Sequence, residues 1–394
     1  VPVTRRDERE MMNGVVARKG IRVAVLYGGP SSEHLVSRAS ALAVLRALPR
    51  DRYAPMAVGI DRSGGYHLMP QSVLEDACGA PAAARPIDDR IAIAGRGIEL
   101  RRGRPGPHGT TLALRSVDDG AVLGEADVAF PVMHGAFGED GVVQGMLESL
   151  AVPYVGCGVL GSAVCMDKVA TKRALAADGI PIAAHVWLDD TTWANADDPQ
   201  QVAVRLTSGL RAPLFVKPAA SGSSLGITRV VDPAGLRKAI DLAFEHGEVV
   251  LIEQGINGRE LECGVLGGSA PVASVVGEVT VTGGWFDHDQ KYHADADPMI
   301  VPAALPTDVA DVVRDLSVKA FRATGCWGLA RVDFLWDPDR EQPIVNEINT
   351  VPGFTAHSMY PKVWKASGID YASLLVRLID LAIERSARRA TRAA

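Results

Sequence analysis

The chain has 394 residues, 47% hydrophobic and 22% charged, and its 41 Lys and Arg against 47 Asp and Glu leave a net charge of −6. That length predicts two or three domains with cores needing no disulfide or metal staple, and the composition excludes a mostly disordered chain. The acidic balance excludes nucleic acid as the main partner, because phosphate-backbone binding needs a basic surface; small anionic substrates remain open. Five scattered cysteines (Cys78, Cys157, Cys165, Cys263, Cys326) form no Cys-x-x-Cys pair, which predicts reduced thiols. Residues 1–20 lack the apolar segment of a signal peptide, and no apolar run of about 18 residues is present to span a membrane. A cytoplasmic protein with a disordered leader over 1–20 is expected.

In chain order, Ile21 to Tyr27 reads as a buried strand. Gly28-Gly-Pro-Ser-Ser32 follows as a turn. Glu33 to Leu48 reads as an amphipathic helix, with Leu35, Ala39, Leu42 and Leu45 on one stripe. Strand, glycine turn and helix at this point open an α/β domain, where ligands gather at the carboxyl ends of strands. Residues 55–60 form a second strand, and 62–120, rich in Gly, Pro, Ala and Arg, read as hairpins and loops. Ala126 to Val132 predicts a strand leading to His134, then come a helix over 141–150 and a short strand over 152–155. Further on, helices are expected over 168–178, 233–246, 307–324 and 370–389. Strands are expected over 183–188, 214–217, 249–253, 261–266, 272–279, 328–335 and 343–348. The basic tail Arg385, Arg388, Arg389 and Arg392 reads as a solvated helix end.

Two motifs mislead. Gly156-Cys-Gly158-Val-Leu-Gly161 has the dinucleotide spacing, but no acidic residue ends the next strand about 20 positions on, as that fold requires. A tight turn between domains explains these glycines better. Gly222-Ser-Ser224-Leu-Gly226 has the nucleophile-elbow spacing, but Pro218 and three small residues separate the strand from the serine. A glycine–serine loop whose backbone N–H groups wrap a polyphosphate fits it better.

The residues that carry chemistry lie elsewhere. Lys168 opens a helix, Lys217 ends a strand before the glycine–serine loop, and Lys291 lies in a polar loop. Each alone would be an ordinary surface charge; with the loop they suggest a nucleoside triphosphate. Arg331 and Asp333 alternate on one strand, and Glu347 and Asn349 on the next, so each pair shares a face. Asp333, Glu347 and Asn349 then converge as oxygen ligands suited to a hard cation such as magnesium. Glu253 and Glu260 flank a turn that could offer backbone groups to an adenine edge and a carboxylate to ribose.

Several motifs in one order carry a family resemblance. They are Gly28-Gly-Pro-Ser-Ser-Glu33-His, His134-Gly-Ala-Phe-Gly-Glu-Asp-Gly-Val-Val-Gln144-Gly and Met166-Asp-Lys168. Lys217-Pro-Ala-Ala-Ser-Gly-Ser223-Ser-Leu-Gly, Lys291-Tyr292, Arg331-Val-Asp333 and Asn346-Glu-Ile-Asn-Thr-Val-Pro-Gly-Phe-Thr-Ala-His-Ser358 follow. From Arg22 to Leu381 the chain resembles the D-alanine–D-alanine ligases of the ATP-grasp superfamily. The resemblance implies an α/β (α+β) ATP-grasp fold of three domains. These are an open parallel-sheet domain over 21–160 holding the first D-alanine, a central lid over 161–253, and a C-terminal domain over 254–394 with a mobile loop at 284–300. It implies an ADP-forming carboxylate–amine ligase of peptidoglycan precursor synthesis, acting through an acyl phosphate.

The resemblance also implies residue roles. Glu33 would hold the first D-alanine's ammonium, with Ser223 and Tyr292 as hydrogen-bonded partners and His134 near the reacting carboxylate. Arg331 and the Gly353 N–H would stabilise the oxyanion, and Ser358 would bind the second carboxylate. Lys168, Lys217 and Lys291 would contact phosphates. Two magnesium or manganese ions would sit on Asp333, Glu347 and Asn349. A homodimer without membrane or nucleic-acid partners is implied. Leu35 departs from a position often acidic in the family, but packs in the helix stripe. His288 stands where the family usually has an aromatic, and a histidine in this loop resembles ligases that accept D-lactate. D-alanine–D-lactate or D-alanine–D-serine ligation therefore stays open as an alternative, with His288 and His293 as its motive.

Overall fold

The computed structural model describes residues 20–70, 95–222, 225–280 and 299–393. Among them, three sheets organise the chain. The first contains β1 (Ile21–Gly28), β2 (Tyr53–Ile60), β3 (Tyr66–Leu68), β4 (Arg96–Gly106), β5 (Gly109–Ser116), β6 (Val122–Ala126) and β7 (Val128–Pro131), ordered β6-β5-β4-β3-β2-β1-β7. β1 lies between β2 and the edge strand β7, parallel to both. Its run from Val23 to Leu26 is fully buried, as expected of a parallel strand covered on both faces. The stretch expected as hairpins holds the long antiparallel pair β4–β5.

The loops that matter leave the carboxyl ends of β1 and β7. β1 stops at Gly28, whose φ of +92° and approach to Ile60 exclude a side chain: a Cβ there would lie 2.4 Å from the Ile60 carbonyl oxygen. The turn then feeds α1 (His34–Ala47). α1 buries Ser37, Ser40, Ala41, Val44 and Leu45, at the three- and four-residue spacing of one helix face. After β7 the chain runs through His134 to α2 (Val142–Ser149). The expected strand at 152–155 contributes one isolated bridge, Ala129 to Tyr154.

α3 (Val159–Met166) and α4 (Lys168–Ala177) follow, with Asp167 capping α4 through the Ala170 N–H at 2.7 Å. The second sheet contains β8 (His185–Asp189), β9 (Leu214–Pro218), β10 (Thr228–Val230) and β11 (Val249–Gln254), all antiparallel in the order β10-β9-β11-β8. Helices α5 (Asp190–Ala194), α6 (Pro199–Thr207) and α7 (Leu236–Phe244) accompany it. The apolar face of α7 (Leu236, Ala239, Ile240, Ala243) packs on Val216, Val250 and Ile252.

The third sheet, also antiparallel, runs β14-β13-β12-β15-β16. Its strands are β12 (Glu260–Gly267), β13 (Val272–Val279), β14 (Met299–Ile300), β15 (Gly328–Asp337) and β16 (Gln342–Asn349). α8 (Thr307–Ala323) lies between β14 and β15, and α9 (Met359–Ala366) and α10 (Tyr371–Ala393) close the chain. One core joins the first and third sheets: Val23, Val25 and Val128 share it with Leu266, Leu329, Phe354, Leu374, Leu375 and Leu378. The tail corrects one reading. Arg385 is buried, donates to the Gly156 and Tyr154 carbonyls at 2.8 and 2.9 Å, and stacks 4.2 Å from the Tyr154 ring centroid. Arg389 pairs with Glu148 at 2.8 Å. These two cations fasten α10 to the first sheet; only the outer turns match a solvated end. Gly156, from the dinucleotide-like motif, supplies one of those carbonyls.

Candidate active site

The first group of residues gathers at the carboxyl ends of β1 and β7. Glu33 ends the turn after β1, where its N–H donates to Ser31 Oγ at 3.1 Å. Its carboxylate lies between two glycine loops. A Cβ on Gly135 would fall 2.6 Å from Glu33 Oε2, and one on Gly222 would fall 3.2 Å from the same atom. Glu33 thus meets the His134 loop on one side and the glycine–serine loop on the other.

His134 is buried, with both ring nitrogens engaged by protein. Nδ1 lies 2.7 Å from the Val351 carbonyl, which can only accept, so Nδ1 carries the proton. Burial lowers the imidazole's pKa below its usual value, outweighing the nearby Glu33 and the Val351 carbonyl, and keeps the ring neutral. Nε2 then accepts from Ser40 Oγ at 3.0 Å. Glu139, five residues on, uses both oxygens: Oε2 accepts the Gly135 N–H at 2.7 Å and Oε1 the Val351 N–H at 2.8 Å. Burial, aided by the charge of Glu33, pushes its carboxyl up to about 8 despite these two donors.

The second group lies between α4 and the second sheet. Lys168 opens α4, its Nζ donating to the Ser221 carbonyl at 2.5 Å. Its pKa is lowered by burial, with Glu347 opposing the shift and Lys217 reinforcing it. Glu253, near the end of β11, is 5% exposed and bridges two ammonium groups. Lys172 Nζ lies 2.8 Å from Glu253 Oε2, and Lys217 pairs with Oε1. Burial alone would raise the carboxyl; the two lysines override it and hold Glu253 at about 2. Glu260 begins β12 opposite Leu335, on the strand face shared with Glu262. Glu253, turned toward the lysines, and Glu260 therefore stand in different surroundings.

The third group lies on β15 and β16. Arg331 Nε and Nη2 each donate to Asp333 at 2.7 Å, and Nε lies 2.9 Å from Glu262 Oε2. Burial pulls the guanidinium's pKa down, but Asp333 and Glu262 outweigh it and leave it above the ordinary arginine value. Asp333 faces Glu347 across the strand pair, and Asn349 Nδ2 donates to Asp333 Oδ2 at 2.8 Å. Asp333, Glu347 and Asn349 thus share a sheet face, as their alternation predicts, and Glu347 is close enough to Lys168 to shift it. Among the described residues no three His, Cys, Asp or Glu side chains stand ready to hold a metal ion. Two carboxylates and an amide oxygen fit a hard cation that takes its remaining oxygens from phosphate and water.

The fourth group follows β16. Gly353 lies in a turn; a Cβ there would sit 3.1 Å from Ser358 Oγ. That hydroxyl accepts the Thr355 N–H at 3.1 Å and lies 2.8 Å from Thr355 Oγ1, at the start of α9. Ser223, Lys291, Tyr292, His288 and His293 lie outside the described residues.

Comparison with known proteins decides the family. The model described as D-ala D-ala ligase N-terminus matches residues 22–157, and the one described as D-ala D-ala ligase C-terminus matches 174–380. A D-alanine--D-alanine ligase of Mycobacterium sp. (strain JLS) is 46% identical over 378 residues, covering 92% of this chain and 96% of its own. The chain belongs to the D-alanine–D-alanine ligase family. The solved D-alanine-D-alanine ligase from Coxiella burnetii superposes with a TM-score of 0.79 at 34% identity, covering 95% of this chain and 97% of its own. The VanG D-Ala:D-Ser ligase from Enterococcus faecalis gives 0.76 at 32%, covering 92% and 99%. The ATP-grasp ligase fold expected from the motifs is therefore the fold observed. A ligase of this family is an enzyme that uses ATP and a divalent cation on small-molecule substrates.

Sequence reasoning missed Ser40, Glu139, Lys172 and Glu262. Two signals could have found them. Lys172 lies four residues after Lys168, on the same face of α4. Glu262 alternates with Glu260, which puts it on the face of β12 that meets Arg331. Glu139 lay inside a quoted motif without a role. Ser40 gave no signal beyond a polar residue in an apolar stripe.

Proposed function

We propose that the protein joins two D-alanine molecules into D-alanyl-D-alanine, driven by ATP, for peptidoglycan precursor synthesis. A carboxylate oxygen of the first D-alanine attacks the γ-phosphorus of ATP, and ADP leaves. The amine of the second D-alanine attacks the carbonyl carbon of the acyl phosphate. The new C–N bond forms, the C–O bond to phosphate breaks, and the proton shed by the amine leaves with phosphate. Glu33 holds the first ammonium. Lys168 and Lys217 meet the phosphate chain, and Glu253 and Glu260 lie at its nucleoside end. Arg331 and the Gly353 N–H receive the developing oxyanion, and Ser358 takes the second carboxylate. Asp333, Glu347 and Asn349 would hold two magnesium ions, which would supply neutralisation of phosphate charge. Catalysis is then positioning and fixed-charge stabilisation in a site that excludes water. The three-part division at 160/161 and 253/254, a homodimer and a cytoplasmic location complete the proposal. Among the described residues no helix is long and apolar enough to cross a membrane.

One observation supports this reading best. The loop after β7, beside Glu33, is hydrogen-bonded to Val351, two residues before Gly353. An ammonium-binding carboxylate and an oxyanion-binding turn are thus fixed to one frame. The test is to incubate purified protein with ATP, magnesium and D-alanine, alone and with D-lactate or D-serine, and weigh the products. D-alanyl-D-alanine as the main product is expected. A depsipeptide or a D-alanyl-D-serine product would overturn the acceptor assignment, and no product with any acceptor would overturn the ligase assignment.

A further inference from the structure

The Gly353 turn is held on both sides by residues from the other end of the chain. On its N-terminal side the Val351 peptide is gripped twice: His134 Nδ1 donates to its carbonyl at 2.7 Å, and its N–H donates to Glu139 Oε1 at 2.8 Å. On the C-terminal side the Phe354 N–H donates to Ser40 Oγ at 3.3 Å. Ser40 donates onward to His134 Nε2 at 3.0 Å, so the two sides are joined through one imidazole. Ser40 is completely buried and His134 nearly so. Tyr371 adds a fifth contact, its hydroxyl donating to the Phe354 carbonyl at 2.6 Å. The clamp also reaches the other end of the site. The second oxygen of Glu139 accepts the Gly135 N–H at 2.7 Å, and Gly135 is the residue against which the Glu33 carboxylate rests.

We propose that Ser40 and Glu139 are positioning residues for the ligation step, which together with His134 hold the Gly353 N–H at a fixed place relative to Glu33. This rests on the reading of Gly353 and Glu33 given under the proposed function. The physical reason is that an oxyanion donor works only if it is already in place when charge develops. A backbone turn without such restraint would reorganise during the reaction. Buried peptide groups without partners are also costly, so the clamp gives the turn one favoured position. It assigns His134 a different task from proton transfer: with Nδ1 and Nε2 both committed, the ring orients the turn. Burial of Glu139 beside Glu33 fits the same picture, since such a carboxyl needs both backbone donors where it lies.

The consequence is a change in how acyl phosphate partitions. A loosened turn slows attack by the second amine more than it slows formation of the acyl phosphate, and water then takes part of the intermediate. Each lost intermediate releases ADP without dipeptide. The experiment measures ADP and D-alanyl-D-alanine in the same reaction for wild type, Ser40→Ala, Ser40→Cys, Glu139→Gln and Ser37→Ala. Ser37 is an equally buried serine on α1, but its bonds run to the Gly28 N–H and the Val132 carbonyl, away from the turn. The ratio of ADP to dipeptide does not depend on how much of a preparation is folded. It is expected to stay at unity in wild type and Ser37→Ala and to rise in Ser40→Ala and Glu139→Gln. Their kcat should fall roughly three- to thirtyfold, with KM for ATP within about twofold. Ser40→Cys, which keeps a donor of similar size, should recover part of the coupling. A unit ratio in both Ser40→Ala and Glu139→Gln, or the same rise in Ser37→Ala, would overturn the proposal while leaving the ligase reading intact. A wild-type protein that forms no dipeptide would overturn both.

Discussion

Glu253 offers the most direct test of the electrostatics. Its carboxylate is 5% exposed and carries two counter-ions, Lys172 at 2.8 Å and Lys217. The lysines move its pKa from the ordinary 4.5 to about 2. At 1.36 kcal/mol per unit, that difference corresponds to about 3 kcal/mol of stability near neutral pH. Glu253→Gln removes the negative charge but keeps the shape, and leaves two ammonium groups facing each other in a buried site. Breaking a buried pair in this way costs about 3 to 5 kcal/mol. The sign with pH follows from a depressed carboxylate. The stabilisation is complete above about 4.5, and it is lost as pH falls through about 2, when wild-type Glu253 takes up a proton. Urea unfolding of wild type and Glu253→Gln, repeated from neutral to acidic pH, should therefore show a large gap that closes toward acid. A gap below about 1 kcal/mol near neutral pH, or one that stays constant down the series, would refute the reasoning.

Four further expectations follow from the same geometry. Glu33→Ala should lower kcat/KM for the first D-alanine by at least about a hundredfold with the urea midpoint unchanged, read by steady-state kinetics and unfolding together. Gly135→Ala forces a φ of +71° on an alanine and places a methyl 2.6 Å from Glu33 Oε2, so it should cost about 1 to 2 kcal/mol in unfolding and raise KM for the first D-alanine. Asp333→Asn should weaken magnesium binding, shifting the activating magnesium concentration upward by roughly tenfold or more in an activity titration. Arg385→Ala removes two bonds to buried carbonyls and the stack on Tyr154, and should destabilise the protein by about 2 to 4 kcal/mol while leaving KM for ATP unchanged.

Much of this could be read from the sequence, and the boundary between what could and what could not has physical causes. Period-two alternation gave the shared face of Arg331, Asp333, Glu347 and Asn349, because pleat geometry translates directly into facing side chains. The strand–glycine turn after β1 and the helix that follows were equally local and legible, but not the helix's buried face. Of the expected stripe only Leu45 is buried; Leu35, Ala39 and Leu42 are half-buried, and Ser37, Ser40, Ala41 and Val44 turn inward instead. Long-range pairing was not. The bridge from Glu253 to Lys172 and Lys217 is set by the packing of α4 against the second sheet, which no local pattern announces. The bonds from Ser40 and Glu139 to the Gly353 turn span more than two hundred residues, and nothing in the local pattern of either end signals the other. The tail of α10 misled because basic residues at a helix end are usually solvated; Arg385 is the one whose position faces the Tyr154 and Gly156 carbonyls.

The buried charges divide the site into two halves with opposite needs. In the half proposed to take the phosphates, Lys168, Lys172 and Lys217 stand among Glu253 and Glu347, so three ammonium groups face two carboxylates. Burial lowers the pKa of Lys168, and Lys217 adds to that shift, so its charge is held against a penalty that an anion would relieve. Around the proposed amino-acid half the carboxylate charge is that of Glu33, because burial and the nearby Glu33 push the Glu139 carboxyl up to about 8. On the proposed function a zwitterionic amino acid beside a polyphosphate answers both: its ammonium would meet Glu33 while the nucleotide would meet the lysines. Arg331, locked to Asp333 and Glu262, is a fixed positive charge that would need no reorganisation if, as proposed, an oxyanion forms beside it. Uncharged mimics of either substrate leave one half uncompensated, which is a physical reason for the site to demand both an α-ammonium and a triphosphate before the chemistry begins.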